Sequence, residues 1–126
     1  MLEDYLPLIC DVTSVQYTNM IAIINNNSTV KKVITVGRNL HHIIPRFYFK
    51  KNKLEVINDE WNLVSLSLGD HFLVHYYLWQ CCKPEYKGKA SLPVMFIIKA
   101  NCGKIYKYCK LNEEFAINIQ SALNKL

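Results

Sequence analysis

The most regular part of the chain is a run of two short strand patterns followed by a helical pattern. LHHIIP at 40–45 is largely apolar and ends at a proline, which predicts a short strand. NLVSLS at 62–67 predicts a second short strand. From 68 to about 82, apolar side chains recur at helical spacing, and Ser67 followed by Asp70 resembles a capping box. The pattern therefore predicts strand, strand and helix in that order.

The N-terminal third gives weaker patterns. LEDYLPLIC at 2–10 predicts a short helix that Pro7 interrupts. Residues 16–24 are rich in Tyr, Thr and Ile and fit either a strand or an apolar helix. Three asparagines and a serine at 25–28 predict a turn. VKKVITV at 30–36 favours a strand because of its β-branched residues, and a glycine follows it.

The remaining segments differ in how clearly they predict a structure. Residues 46–59 are basic and aromatic without a clear period, which predicts a loop. ASLPVMFIIKAN at 90–101 is ambiguous between helix and strand, and Gly103 indicates a turn. Residues 112–126 predict an amphipathic helix, with Asn112 as its N-cap and two glutamates in its first turn.

Length and composition indicate one soluble globular domain. At 126 residues the chain can bury a core of its own, and 51% hydrophobic with 20% charged residues is ordinary for such a domain. No apolar run reaches the roughly 20 residues needed to cross a bilayer, so we expect no membrane association. Glu3 and Asp4 stand where a secretory signal would carry bases, so we expect a cytoplasmic protein.

The five cysteines do not form a recognisable metal or disulfide pattern. Their number is odd and no two are spaced as CxxC; Cys102 and Cys109 are the only loosely plausible couple. We therefore expect reduced thiols, mostly buried.

The net charge of +5 is strongly segmented. Residues 31–53 carry seven bases and no acid, and residues 83–110 carry seven lysines against one glutamate. Between them, residues 54–82 carry four acids and no Lys or Arg. Two basic blocks that flank a central segment suit a polyanion in contact with both. A solvated lysine surface without a partner explains the same pattern equally well.

All four histidines lie within 39–80. His71 and His75 are four residues apart, so on a helix they project from one face and can share a metal ion. The adjacent residues His41 and His42 would point to opposite faces of a strand. One of the two can therefore join the metal while the other turns towards something else.

Segment 39–80 resembles the HNH (ββα-metal, or His-Me finger) endonuclease family, especially its phage and mobile-element members. The positions that agree in type and order are His41-His42, Pro45-Arg46, Asn62-Leu63-Val64, Leu66, His71, Phe72 and His75. The resemblance implies an α+β fold with a ββα-metal core at about 39–80. Additional helices and short strands would wrap this core within a single domain spanning 1–126. Two departures are a longer loop without the usual Gly-Gly turn, and Asp70 where many relatives have Glu.

The resemblance assigns a role to each matching polar residue. One divalent ion, zinc or magnesium or manganese, would bind His41, His71 and His75, a three-histidine site similar to that of colicin-type DNases. His42 would be the general base that activates water, and Asn62 would fix the loop and orient His42 through a backbone bond. Arg46 suits a phosphate clamp because its planar fork matches phosphate oxygens. Phosphate-backbone contacts are expected from Arg38, Arg46, Lys50, Lys51 and Lys53.

The resemblance implies a metal-dependent DNA endonuclease of homing, restriction or defence type. Imidazole titrates near neutrality, as a general base requires, and a cation stabilises the charged phosphate. Two alternatives stay open: a non-specific or RNA-directed nuclease toxin, and a non-catalytic, zinc-stabilised nucleic-acid-binding module. A homodimer is possible, with apolar segments 92–98 and 115–123 as its contacts, although core packing explains those segments as easily.

Overall fold

A computed structural model describes residues 1–101, 104–109 and 113–125 of the chain. Its helices and strands, in chain order, are α1 (Leu2–Ile9), α2 (Val15–Asn26), β1 (Arg38–His42), α3 (Arg46–Lys51), β2 (Leu63–Ser67), α4 (Leu68–Cys81), α5 (Lys87–Ala100), α6 (Tyr106–Cys109) and α7 (Glu113–Asn124). Short 3-10 turns precede β2 and α5. Within the described residues the fold is thus seven α-helices and one two-stranded sheet, which confirms the α+β class.

The two strands form an antiparallel pair that leads directly into α4. The register runs from Arg38 opposite Ser67 to His42 opposite Leu63. At Ser67 the chain leaves the sheet, and its hydroxyl accepts a hydrogen bond from the backbone N–H of Asp70 at 3.2 Å. This is the predicted N-cap, which satisfies one of the free N–H groups of the first helical turn. The cap fixes the start of α4 against the end of β2.

Helix α4 is the centre of the core. Its buried side chains include Phe72, Val74 and Leu78, and the helix packs between α2 and α5. Each such side chain contributes roughly 1.5–3 kcal/mol by leaving water. Buried side chains of α5 and α7 complete this core: Ala90, Val94, Ile98, Ile119 and Leu123. Val94 and Ile98 lie in segment 92–98, and Ile119 and Leu123 lie in segment 115–123, the two apolar stretches considered for a dimer contact.

The prediction of a strand at 30–36 is wrong. Thr35 makes an isolated bridge to Arg38, and Ile34 and Val36 are almost completely exposed. β-Branched residues favour a strand only where a neighbouring strand and a buried face are present. Here the chain reverses at Gly37 (φ +79°), so the segment runs outside the two-stranded sheet.

The loop predicted at 46–59 begins as a helix, α3. Tyr48 and Phe49 are buried in the core, and their packing supplies the stability that the local sequence does not indicate. The strand predicted at 40–45 lies earlier in the chain, at Arg38–His42. The pairing with β2 ends at His42, and the next residues, Ile43 and Ile44, are buried in the core.

The structure decides the ambiguous segments in favour of helices. Residues 16–24 lie in α2, which runs two residues into the predicted turn at 25–28, and segment 90–101 lies largely in α5. Helices α1 and α5 accommodate Pro7 and Pro93. The cysteines within the described residues are free thiols, with Cys10, Cys81 and Cys82 buried and Cys109 half-buried. The predictions for Cys102, Gly103 and Asn112 lie outside the described residues.

No helix in the described part of the chain is both long and apolar enough to cross a membrane.

Candidate metal centre

Three of the four histidines converge on one point between β1 and α4. His41 comes from the strand, and His71 and His75 project from the same face of the helix, one turn apart. One nitrogen from each ring can be chosen so that all three lie within 4.8 Å of one another. The structure thus brings together the three residues that the sequence predicts as metal ligands.

The distances within the cluster are close to those of a metal site. His71 Nε2 and His75 Nε2 are 2.9 Å apart, and the His41 ring centroid lies 4.7 Å from that of His75. Tetrahedral zinc with Zn–N bonds of about 2.0–2.1 Å spaces its ligand nitrogens by roughly 3.3 Å. Small rotations of the histidine side chains would bring their nitrogens from the observed distances to that spacing. The three residues therefore fit a shared ion.

Two nitrogens of the cluster are buried without a hydrogen-bond partner in the described part of the chain. They are His41 Nε2 and His75 Nδ1. A buried polar atom without a partner costs free energy, typically about 1–3 kcal/mol. A cation coordinated by His41 Nε2 would supply its missing partner. Three imidazole nitrogens suit zinc or another transition metal better than magnesium, which prefers oxygen ligands.

Burial keeps these imidazoles in the neutral, metal-binding form. It lowers the pKa of His41 well below its usual value, and the neighbouring histidines lower it further. Burial, with a smaller effect of His71, lowers the pKa of His75 to about 3. The pKa of His71 is lowered by burial as well. Because a metal competes with protons for the same nitrogens, neutral rings favour its binding.

We expect the metal-free protein to be less stable at about pH 5.5 than at pH 7.5. The unfolded chain binds protons on its imidazoles below about pH 6.5, whereas the folded rings stay neutral. The penalty is absent above that pH and grows as the pH falls towards the lowered folded pKa. For His75, whose folded pKa is about 3, the size of this penalty at pH 5.5 is about 1 kcal/mol.

Urea unfolding with a chelator present, at the two pH values, measures this difference. His75→Gln is the matched variant, because it removes one titrating ring from the cluster. If His75→Gln lost as much stability as the wild type between pH 7.5 and pH 5.5, the lowered pKa of His75 would be contradicted.

His42 lies on the other side of the strand from the cluster ligand His41. Its Nε2 is 2.7 Å from Asn58 Oδ1. An amide oxygen only accepts hydrogen bonds, so Nε2 is the donor, and in the neutral form of the ring Nδ1 is the acceptor. The sequence analysis did not single out Asn58. It lies in an irregular loop, where neither the helical nor the strand period relates it to the histidines.

One pocket of about 290 Å³ joins both sides of this arrangement. Among the residues that line it are the three clustered histidines, His42 and Arg46. Arg46 is exposed at the first position of α3. The imidazole of His42, the guanidinium of Arg46 and the candidate ion site thus line the same space.

Asn62 is completely buried and links the two ends of the loop between the strands. Its Oδ1 accepts a hydrogen bond from the Ile44 N–H at 2.6 Å, and its Nδ2 donates to the Ile57 carbonyl at 2.8 Å. Ile44 lies two positions after His42, and Ile57 directly precedes Asn58. The Asn62 side chain thus bonds the backbone close to both members of the contact between His42 and Asn58. It fixes the loop through these two backbone bonds, and the orientation of His42 by Asn62 stays a prediction.

Arg38 differs from the other predicted basic contacts. Its guanidinium donates to Ser65 Oγ at 3.0 Å, to the Ser65 carbonyl at 2.7 Å and to Asn27 Oδ1 at 2.8 Å. Asn27 in turn donates to the Asp70 carboxylate at 3.2 Å. This network ties α2 to the sheet and to the first turn of α4. The structure thus gives Arg38 and Asp70 internal partners.

The predicted lysines lie on or just after α3. Lys50 and Lys53 are exposed, and Lys53 adopts a positive φ of 56°. Lys51 donates to the Glu85 carbonyl at 2.7 Å, and its ammonium lies 4.8 Å from the centroid of the Tyr86 ring. Lys50 and Lys51 face the same side of the molecule as Arg46, where all three line one cavity.

Comparison with protein-family models, with curated proteins and with solved structures found no match for this chain.

Proposed function

We propose that the chain is a metal-dependent endonuclease of the HNH type that hydrolyses phosphodiester bonds in DNA. The observation that carries the proposal is the composition of the 290 Å³ pocket. It combines a three-histidine cluster with a fourth imidazole, bonded through Nε2 to Asn58, and with an exposed arginine. The order of β1, β2 and α4, with the clustered histidines on the first strand and the helix, supports the ββα-metal assignment.

Each residue has a chemical task in this reaction. A divalent ion held by the three clustered histidines, zinc or magnesium or manganese, would stabilise negative charge on the phosphate and the leaving 3′ oxygen. His42 accepts the proton of the attacking water at Nδ1. The carbonyl oxygen of Asn58 then stabilises the imidazolium through its bond to Nε2–H. Arg46 binds non-bridging phosphate oxygens with its planar fork.

The pocket's composition argues against a purely structural metal. A structural site has no use for a fourth imidazole, yet His42 lines the same pocket as the cluster. Because RNA cleavage uses the same groups, RNA is offered as a second substrate in the experiment below.

Incubation with supercoiled plasmid DNA, and separately with RNA, tests the proposal. Each substrate is offered with zinc, manganese and magnesium, and with a chelator as the control. We expect nicked circles to accumulate before linear plasmid, because one site holds one scissile phosphate. Cleavage of RNA alone would redirect the proposal to the nuclease-toxin alternative. Metal binding without cleavage of either substrate would favour the structural-zinc alternative.

Asn58→Ala should lower the cleavage rate without removing the metal. The variant loses the acceptor for the Nε2–H of His42, and a hydrogen bond to a charged group is worth roughly tenfold or more in rate. Asn58→Asp restores an acceptor, and its charge should move the acidic limb of the pH–rate profile to higher pH. Single-turnover cleavage across pH measures both effects. An unchanged rate in Asn58→Ala would remove this residue from the mechanism.

A further inference from the structure

A second cavity, of about 690 Å³, lies between α3 and α5; we call it the α3/α5 pocket. It shares Arg46, Phe47 and Pro93 with the histidine pocket, so the two spaces adjoin. Its volume lies within the roughly 300–1,000 Å³ that is typical of sites for small ligands. A group bound in this pocket would therefore lie beside any phosphate held at the histidines.

The charge of the α3/α5 pocket fits an anion. Four cations line it, namely Arg46, Lys50, Lys51 and Lys89. Lys51 is anchored to the Glu85 backbone, whereas Lys50 and Lys89 are exposed. Glu85 is the acidic residue of the lining, so the cations predominate. Such a surface attracts a phosphate backbone through a salt-dependent interaction.

The α5 side of the pocket carries apolar side chains that face the solvent, next to Lys89 on the same helix. Phe96 is 62% exposed and Leu92 is 37% exposed, both on α5. Other residues of this helix, among them Val94 and Ile98, face the core, so Phe96 is not needed for core packing. An aromatic ring beside lysines is the arrangement on which unpaired bases stack in single-strand binding. Bases inside a duplex are already stacked and cannot reach such a ring.

We propose that the α3/α5 pocket holds an unpaired nucleotide next to the scissile phosphate. Its base lies against Phe96 and Leu92, and its phosphate interacts with Lys50 and Lys89. The preferred substrate is then a single strand, or a duplex that presents an unpaired base. This inference rests on the proposed nuclease function, because it names the substrate of the adjoining site.

Equilibrium binding of labelled oligonucleotides tests the inference separately from cleavage. The metal-free protein is titrated, with a chelator present, against a single strand, its blunt duplex and the same strand with abasic sites. Both DNA and RNA versions are used, because stacking is common to both. We expect single strands to bind about tenfold more tightly than duplexes and abasic strands.

Phe96→Ala should remove that preference and leave duplex affinity unchanged. Ile117→Ala is the matched control, since Ile117 is a similarly exposed apolar residue on α7. Lys89→Ala should weaken binding to every substrate and reduce the salt slope by about one. Phe96→Ala with undiminished single-strand affinity, or equal wild-type affinity for strand and duplex, would overturn the inference.

The two proposals fail separately. Cleavage without any preference for single strands would overturn the pocket assignment and leave the nuclease standing. A Phe96-dependent preference in a protein that cleaves neither DNA nor RNA would overturn the nuclease. The pocket would then remain a nucleic-acid-binding site.

Discussion

His42→Ala is expected to abolish nucleic-acid cleavage and to leave the bound metal in place. His42 lies outside the three-histidine cluster, and the contact of its Nε2 is with Asn58. Removing it takes away the group that accepts the proton, and general-base catalysis is worth about 10²- to 10⁴-fold. The nucleic-acid affinity should change little, because phosphate binding depends mainly on the cations.

Plasmid nicking and metal content, measured on the same preparation, check this result. Asn39→Ala is a matched control, since Asn39 is an exposed residue of the same strand. If His42→Ala lost the metal while His41→Ala kept it, the roles of the two neighbours would be inverted.

His75→Ala is expected to lose the metal ion. It leaves two imidazoles in place of three, and it removes the ring whose Nε2 lies 2.9 Å from that of His71. Changes in residues that only support a ligand already cost about 10- to 100-fold in metal affinity, so losing a ligand should cost more. The stabilisation by added metal should disappear with it; at 100 times Kd that stabilisation is about 2.7 kcal/mol.

Metal analysis after dialysis, together with thermal unfolding with and without zinc, measures both losses. His42→Ala is the natural comparison, because it removes a histidine beside the cluster. One stoichiometric ion that survived both His71→Ala and His75→Ala would contradict the ligand assignment.

The part of the fold that local chemistry determines was predictable from the sequence. Ser67 and Asp70 predicted the start of α4, and the cap is present there. The spacing of His71 and His75 predicted that they share a helical face, and the structure brings His41 to the same point. The residues of the cap, and the pair His71 and His75, lie within about one helical turn of each other, where the helical period applies.

Features that depend on distant packing were not predictable. The β-branched residues at 30–36 are not part of a strand, because the sheet ends without a partner for them. The helix at Arg46–Lys51 depends on burying Tyr48 and Phe49 in a core that other segments build. A single sequence does not tell which neighbours a segment will find.

The same limit applies to the site. Asn58 lies sixteen positions after His42 in the chain, and no periodicity relates the two. The basic block that contains Arg38 suggested surface contacts, whereas its guanidinium bonds Ser65 and Asn27. The α3/α5 pocket joins two segments about forty residues apart, and neither segment alone indicates a cavity.

Titration of the metal-free protein with zinc or manganese, with plasmid nicking followed at every addition, tests whether the bound metal drives cleavage. We expect nicking to be absent without metal, to rise with the metal bound and to saturate at one ion per chain. We also expect His42→Ala to bind the same equivalent of metal without nicking. Nicking that persists in chelator, or one bound ion with no cleavage of DNA or RNA, would contradict the proposed function.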